Sequence, residues 1–233
     1  MVETIRGILC DEWLDPLTGF IESEQFEKII FTIKNEKKLG FHIQPSTDRV
    51  FRGLNSCKPN DVKVIMAAQD PYNSRTKDGG MIADGLAFSC SLTKSPQPSL
   101  KNIYSGILKT TGSTALEQND WDLEYLAAQG VLLINSSLTV RSYYPNSHKG
   151  LWDKFIDEMF FEVINKSTHP IVYIMLGKEA LNTFSKYIRI GDHILSAVHP
   201  AAASYTGGIW DCKNIFNECN KYLELEGLTP IKW

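Results

Sequence analysis

The stretch VKVIMAAQDPYNSRTKDGGMIADGLAFS, residues 62–89, decides the fold. It opens on a dense apolar run, Val62 to Ala68, interrupted only by Lys63. Such a run is the mark of a strand buried on both faces, as in a parallel sheet. It stops at Gln69-Asp70-Pro71-Tyr72. Proline has no N–H to give a central ladder, so Asp70 is expected on a turn at the strand's carboxyl end. In open α/β sheets, ligands bind along that edge. An Asp-Pro pair taken alone is as readily a turn cap, so the rest of the chain has to decide.

Working outward, three more apolar runs follow: Val131–Ile134, Ile171–Leu176 and His193–Val198. Between them lie helical patterns, over about Ser99–Lys109, Leu123–Gln129 and Leu151–Asn165, with another opening at Gly177-Lys178 and a last one over Asn214–Leu225. Upstream, Phe26, Ile29, Ile30 and Ile33 recur at helical spacing between Glu22 and Lys38, and Gly40 closes that helix. Residues 41–61 read as a connector with one short helix near Val50–Leu54, and 141–150 as a polar loop. Strands alternating with helices predict an α/β fold. The expectation is a central four-stranded parallel sheet flanked by helices on both faces, as one domain over 1–233. The four strands stop at Asp70, Asn135, Gly177 and His199. In a parallel sheet all four positions share one edge, which makes that edge the candidate active site.

Composition narrows the chemistry. The net charge of −3 gives no global basic field, so any nucleic-acid contact has to come from a local patch. The five cysteines are widely spaced with no C-x-x-C, which argues against disulfides and metal clusters and for an intracellular, soluble protein of the cytoplasm, nucleoid or nucleus. The opening residues MVETIRGILCDEWLDP place acids where a signal peptide needs an apolar core, and no window has the length of a membrane span. No G-x-S-x-G elbow, G-x-G-x-x-G or Walker A pattern is present, so acyl transfer and nucleotide binding are poorly supported. An acid, an amide and an imidazole together suit cleavage of a bond between a sugar and a base. The amide reads a base edge, the imidazole donates to an oxygen gaining charge, and the carboxylate positions water or steadies a cation.

The segments AQDPY (68–72), DGLAFS (84–89), PQPSLKNIY (96–104), QGVLLINSSLTV (129–140), NSHKGLW (146–152), HPAAAS (199–204) and TPIKW (229–233) stand in the order of the family 1 uracil-DNA glycosylases. The chain resembles that family from about Trp13 to its C-terminus. The resemblance implies a DNA-repair enzyme that flips uracil out of DNA and hydrolyses its N-glycosidic bond, leaving an abasic site. It implies that Asp70 orients the water and stabilises the oxocarbenium-like sugar, and that His199 donates to O2 of the departing base. Tyr72 would exclude a 5-methyl group, Phe88 stack on the base, Asn135 read O4 and N3, and Gln69 position the base through its backbone. Ser99, Lys178, Ala203, Ser204 and Tyr205 would fall on the loops that grip DNA. Arg75, Lys77, Lys94, Arg141 and Lys149 are expected along the same rim as a local basic patch. No metal or redox cofactor is implied. The implied partners are uracil-containing DNA and free uracil as product, with the chain a monomer, away from membranes, and open to a proteinaceous uracil-glycosylase inhibitor.

Each side chain also has a plainer reading. Phe88 alone is a core aromatic, Tyr72 a turn residue and Asn135 a turn cap. His169 and His193 match no motif and read as structural or surface. His148 is either a neighbour of the DNA groove or a solvated loop residue. Three features depart from the family. Ala203 stands where a leucine usually wedges into the duplex, with Tyr205 as a candidate replacement. The 73–84 loop is longer than usual, either a DNA contact or a flexible insertion. Asn73 stands where histidine is usual. The alternatives are a replication-associated DNA-binding protein on the same fold with weakened activity, and a glycosylase for another damaged base.

Overall fold

The apolar run after Lys63 forms strand β2, Val64–Ala68, and every residue in it is buried. The structure is a computed structural model that describes residues 2–206 and 208–233, with the side chains at 2 and 204–206 outside the description. In chain order the strands are β1 (Ile43–Gln44), β2, β3 (Val131–Asn135), β4 (Val140–Arg141), β5 (Val172–Leu176) and β6 (His193–Ala197). Four of them make the central sheet, in the order β3-β2-β5-β6. Every pairing in it is parallel, in registers that set Ala68 beside Asn135 and Leu176 beside Ala197. Carboxyl ends therefore align, as the apolar runs predicted.

The fourth strand differs from the other three. Strands β2, β3 and β5 are buried throughout, while β6 alternates, with Ile194 and Ser196 exposed. It lies at the sheet's edge, and its outward positions meet solvent. His193 at its start stacks on Tyr222, ring centroids 3.9 Å apart, which is the structural role expected for it.

Helices pack around the sheet. The helix Glu24–Lys38 starts at Ser23, whose hydroxyl accepts from the Phe26 N–H at 3.3 Å, with acids in its first turn and lysines in its last. An uninterrupted helix is expected over 151–165, but a π-turn at Met159–Val163 follows the α-turns Asp153–Glu158. Across it Phe160 lies flat on Tyr187, 4.1 Å between centroids. The helix Asp11–Ile21 has no counterpart in the sequence reading, because Pro16 interrupts its pattern. Pro16 sits on the exposed side, where the missing N–H faces water, while Trp13, Leu14 and Leu17 bury the other side. No helix among the described residues is long and apolar enough to cross a membrane. All five cysteines are free thiols.

A second small ladder was not legible in the sequence. Strands β1 and β4 pair antiparallel, Ile43 with Arg141 and Gln44 with Val140, and so tie the connector to the 141–150 loop. A buried ionic cluster fastens the ladder. Glu36 accepts from Arg141 Nε at 2.9 Å and Nη2 at 2.5 Å, and it lies 2.8 Å from His148 Nε2. Thr139 Oγ1 accepts from the Trp152 indole and meets His148 Nδ1, both at 2.7 Å. The sequence offered His148 as a groove neighbour or a solvated residue, and burial overturns the solvated reading. It is 2% exposed and closed into this cluster, because its partner Glu36 arrives from a helix 112 residues away.

The Arg141 hydrogen bonds, with His148 beside them, hold the Glu36 carboxyl below its ordinary value of 4.5. A depressed carboxylate contributes stability above the unfolded-state pKa and loses it as pH falls toward the folded value. Glu36→Gln is therefore expected to lower unfolding free energy by about 2–3 kcal/mol at pH 7. The gap from wild type should narrow as urea melts are repeated below pH 4.5. A gap that stays constant with pH would show that the charge contributes nothing.

Candidate active site

Past Ala68 the chain turns out of β2 into a cavity of about 210 Å³. Gln69, Asp70, Tyr72, Phe88, Ser99 and His199 line it together. Six residues predicted from separate segments thus share one cavity.

Asp70 is held from one side only. Its Oδ2 accepts from the backbone N–H of Asn146 at 2.6 Å, while Oδ1 is buried with no hydrogen-bond partner among the described residues. An acceptor left without a partner can take a hydrogen bond from a donor brought beside it. Gln69 is fixed at both ends. Its carbonyl accepts from Ser137 N–H at 2.9 Å and Ser136 Oγ at 3.1 Å, and its side-chain amide donates to Asn146 Oδ1 at 2.5 Å.

The opposite wall comes from DGLAFS. Asp84, fully buried, accepts from Leu86 N–H (3.1 Å), Ser89 Oγ (2.6 Å) and Ser91 N–H (2.9 Å), and pairs with Arg52 at 3.0 Å. Gly85, at φ +99°, passes so close to the Arg49 carbonyl that a Cβ would sit 2.0 Å from it. These constraints deliver Phe88 to the cavity at φ +68°, a left-handed conformation strained for an aromatic residue. The Tyr72 hydroxyl donates to the Phe88 carbonyl at 3.0 Å and joins the two walls. Burial pushes the Tyr72 phenol well above its usual pKa, so it remains a neutral donor.

His199 closes the cavity, its ring centroid 6.4 Å from that of Phe88. Its Nδ1 accepts from the Ala201 N–H at 3.2 Å, which leaves the proton of the neutral ring on Nε2. Burial lowers its pKa, favouring that neutral form. Gly177, at φ +101°, makes room, since a Cβ there would meet His199 Cβ at 3.0 Å. Ser99 lies in the first turn of the helix Pro98–Thr111, with Gln97 rather than Ser99 at the N-cap.

Other predicted residues stand farther off. Asn135 ends β3, 6% exposed, directly beside Ala68 of the cavity wall. Lys178 is exposed at the start of the helix Lys178–Phe184. Ala203 lies in the helix Ala201–Thr206 with its methyl packed into the core, 8% exposed, so it offers a ligand no side chain. The side chains of Ser204 and Tyr205 lie outside the described residues. The basic rim is thinner than expected, because acids distant in sequence engage it: Lys94 pairs with Asp120, Arg141 with Glu36 and Lys149 with Glu179. Arg75 donates to the Gly79 carbonyl inside a closed turn bridged by Arg75 and Met81, so the 73–84 loop is built rather than loose.

Sequence reasoning missed Asn146. It adopts φ +63° and holds Asp70 through its backbone and Gln69 through its side chain. The left-handed tolerance of asparagine within NSHKGLW was the available signal.

A carboxylate with one oxygen buried and an imidazole held toward its neutral form line one cavity at the carboxyl edge of a parallel sheet, which defines an α/β protein with a candidate hydrolytic site. No family model matches the chain. The uracil-DNA glycosylase of Homo sapiens is 33% identical over 224 residues, covering 96% of this chain and 69% of the human protein. That of Acinetobacter baumannii (strain SDF) is 33% identical over 225 residues, covering 96% and 91%. The crystal structure of mimivirus uracil-DNA glycosylase superposes with a TM-score of 0.87 at 19% identity, covering all of this chain and 89% of that one. A mimivirus UNG variant in complex with UGI gives 0.86 at 20%, covering all of this chain and 90% of that one. The chain belongs to the uracil-DNA glycosylases.

Asn146→Ala is expected to lower kcat about 10- to 100-fold with little change in KM, through a misplaced Asp70. Asn146→Gly keeps the left-handed backbone and its N–H and should retain most of the activity. Equal losses in both variants would shift the role from the backbone to the side chain.

Proposed function

We propose that this cavity is where the chain does the work of its family, releasing uracil from DNA. The chain is a hydrolase of N-glycosyl bonds acting in base excision repair, and it leaves an abasic site. The target base has to leave the stack, because its glycosidic bond is out of reach inside a duplex.

The state of Asp70 carries this reading: one oxygen clamped by Asn146, the other buried and unpartnered in the cavity wall. In our reading that free oxygen orients water toward C1′ and steadies positive charge on the sugar as the bond to the base stretches. The bonding electron pair leaves with uracil and gathers on O2, where His199 Nε2–H donates. Water's oxygen bonds to C1′ and its proton passes to the carboxylate. Phe88 stacks on the base and Tyr72 stands against C5, where a methyl group would clash. We assign reading of O4 and N3 to Asn135, supported by its place beside Ala68 on the neighbouring strand. Gln69, with its carbonyl already engaged, offers its backbone N–H. Ser99, Lys178 and Ser204 are our candidates for phosphate contact, and Tyr205 for the wedge that Ala203 does not supply. We extend to this chain an inhibitor as partner, supported by the mimivirus complex with UGI, and action as a monomer within a single domain. Nothing in the fold or the comparisons favours a DNA-binding scaffold without activity.

Asp70→Asn is expected to cut uracil release by at least 10³-fold while leaving DNA binding within a few-fold of wild type. Full activity in that variant would mean the site is misassigned. Because His199 titrates below the ordinary 6.5, its neutral form persists at neutral pH, and the acid limb of kcat/KM that it governs should have its midpoint below pH 6.5. Excision rates on single- and double-stranded substrates for Tyr205→Ala and Ala203→Leu test the wedge. A Tyr205→Ala protein as active on duplex as wild type removes the tyrosine from it.

A further inference from the structure

The 141–150 loop does more than clamp Asp70. At its tip two adjacent aromatics face solvent, Tyr143 at 63% and Tyr144 at 57% exposure. Neither hydroxyl has a hydrogen-bond partner among the described residues. Both stand within three residues of Asn146, so about 10 Å of chain at most separates them from the Asp70 clamp.

The pair is held rigidly for an exposed loop. Tyr143 adopts φ +69°, a conformation that bulky side chains rarely take and that recurs at functional sites. Its N–H donates at 2.8 Å to the carbonyl of Asn73, on the segment that carries Asp70 and Tyr72. The Tyr144 N–H returns to the Arg141 carbonyl at 3.1 Å and closes a tight turn. Phe41 meets the Tyr144 ring edge-on, 6.4 Å between centroids at 89°. Arg141 lies over the other ring, 4.5 Å from the Phe41 centroid, and is itself anchored to buried Glu36. The brace therefore runs from the core to the tip.

We propose that Tyr143 and Tyr144 form a stacking platform for the nucleobase that neighbours the extruded uracil on the same strand. This rests on the glycosylase reading of the adjacent cavity. The electrostatics point the same way. The chain carries a net charge of −3, and Lys94, Arg141 and Lys149, the cations expected along the rim, are paired with acids, so attraction to phosphates is modest. Stacking on aromatic rings supplies affinity without charge, and it tolerates any sequence because every base has a π-face. The braced Tyr144 ring and the fixed Tyr143 backbone lose little freedom on binding, which is what a platform requires.

The test uses single-stranded oligonucleotides with one uracil, in which the base on its 5′ or 3′ side is replaced by an abasic tetrahydrofuran spacer. Wild type should lose about tenfold in kcat/KM, carried by KM, when the stacked neighbour is removed from one side. Tyr143→Ala and Tyr144→Ala should show the same loss on intact substrate and little further loss on the spacer substrate, while Tyr144→Phe behaves as wild type. Wild-type rates indifferent to a spacer on either side overturn the platform. So does a spacer penalty of equal size in wild type and both alanine variants, which would put the stacking elsewhere. A wild-type protein that releases no uracil from any substrate defeats the functional reading instead. The same spacer comparison, read by equilibrium binding to single-stranded DNA, then decides the platform by itself.

Discussion

Parallel pairing of β2 with β3 on one side and β5 on the other is the constraint on which the molecule depends. Each of these strands is buried along its whole length, so its backbone groups have no water to fall back on and must be met by the ladder. In-register parallel strands end level with one another. The residues that follow them, Asp70 after β2, Asn135 at the end of β3 and His199 beyond β6, are carried to one edge as a result. There the backbone leaves the sheet, and side chains are free of packing duties that would otherwise fix their identity.

The geometry of the cavity is then refined by contacts that no single strand provides. Asp70 owes its orientation to an N–H from a loop 76 residues later in the chain. That loop is in turn pinned by the β1–β4 ladder and by Glu36, which holds Arg141 and His148 together. Across the cavity, buried Asp84 gathers two backbone N–H groups and a serine hydroxyl so that Phe88 enters in a strained conformation. Two carboxylates outside the cavity lining thus set the positions of two groups within it. This is what a preorganised site requires, since a side chain left to solvent would sample several rotamers and spend little time in the productive one.

The rim shows how far a list of charges misleads. Five cations stand in the right segments, yet three are paired with acids and a fourth is turned onto a carbonyl within its own loop. Aromatic surface is what remains at the loop beside Asp70. A chain with net negative charge that must handle a polyanion gains from contacts that do not depend on phosphate attraction.

Buried strands were legible because hydrophobic density is a local property, and so were the acid-proline and histidine-proline turns that end β2 and β6. The family motifs likewise marked Asp70, Tyr72, Phe88, Ser99 and His199, and these do line one cavity. What stayed hidden rests on partners far apart in sequence. His148 looked like a loop residue because nothing local announces Glu36, and Asn146 looked like an ordinary turn former because its backbone, not its side chain, clamps the acid. The edge position of β6 and the burial of the Ala203 methyl follow from what packs beside them, which periodicity does not encode. The sequence by itself determined which segments become strands and which residue types stand at their ends. Tertiary structure alone decided which of those residues face each other and how tightly each is held, because hydrogen bonds and burial are properties of pairs that only folding brings together.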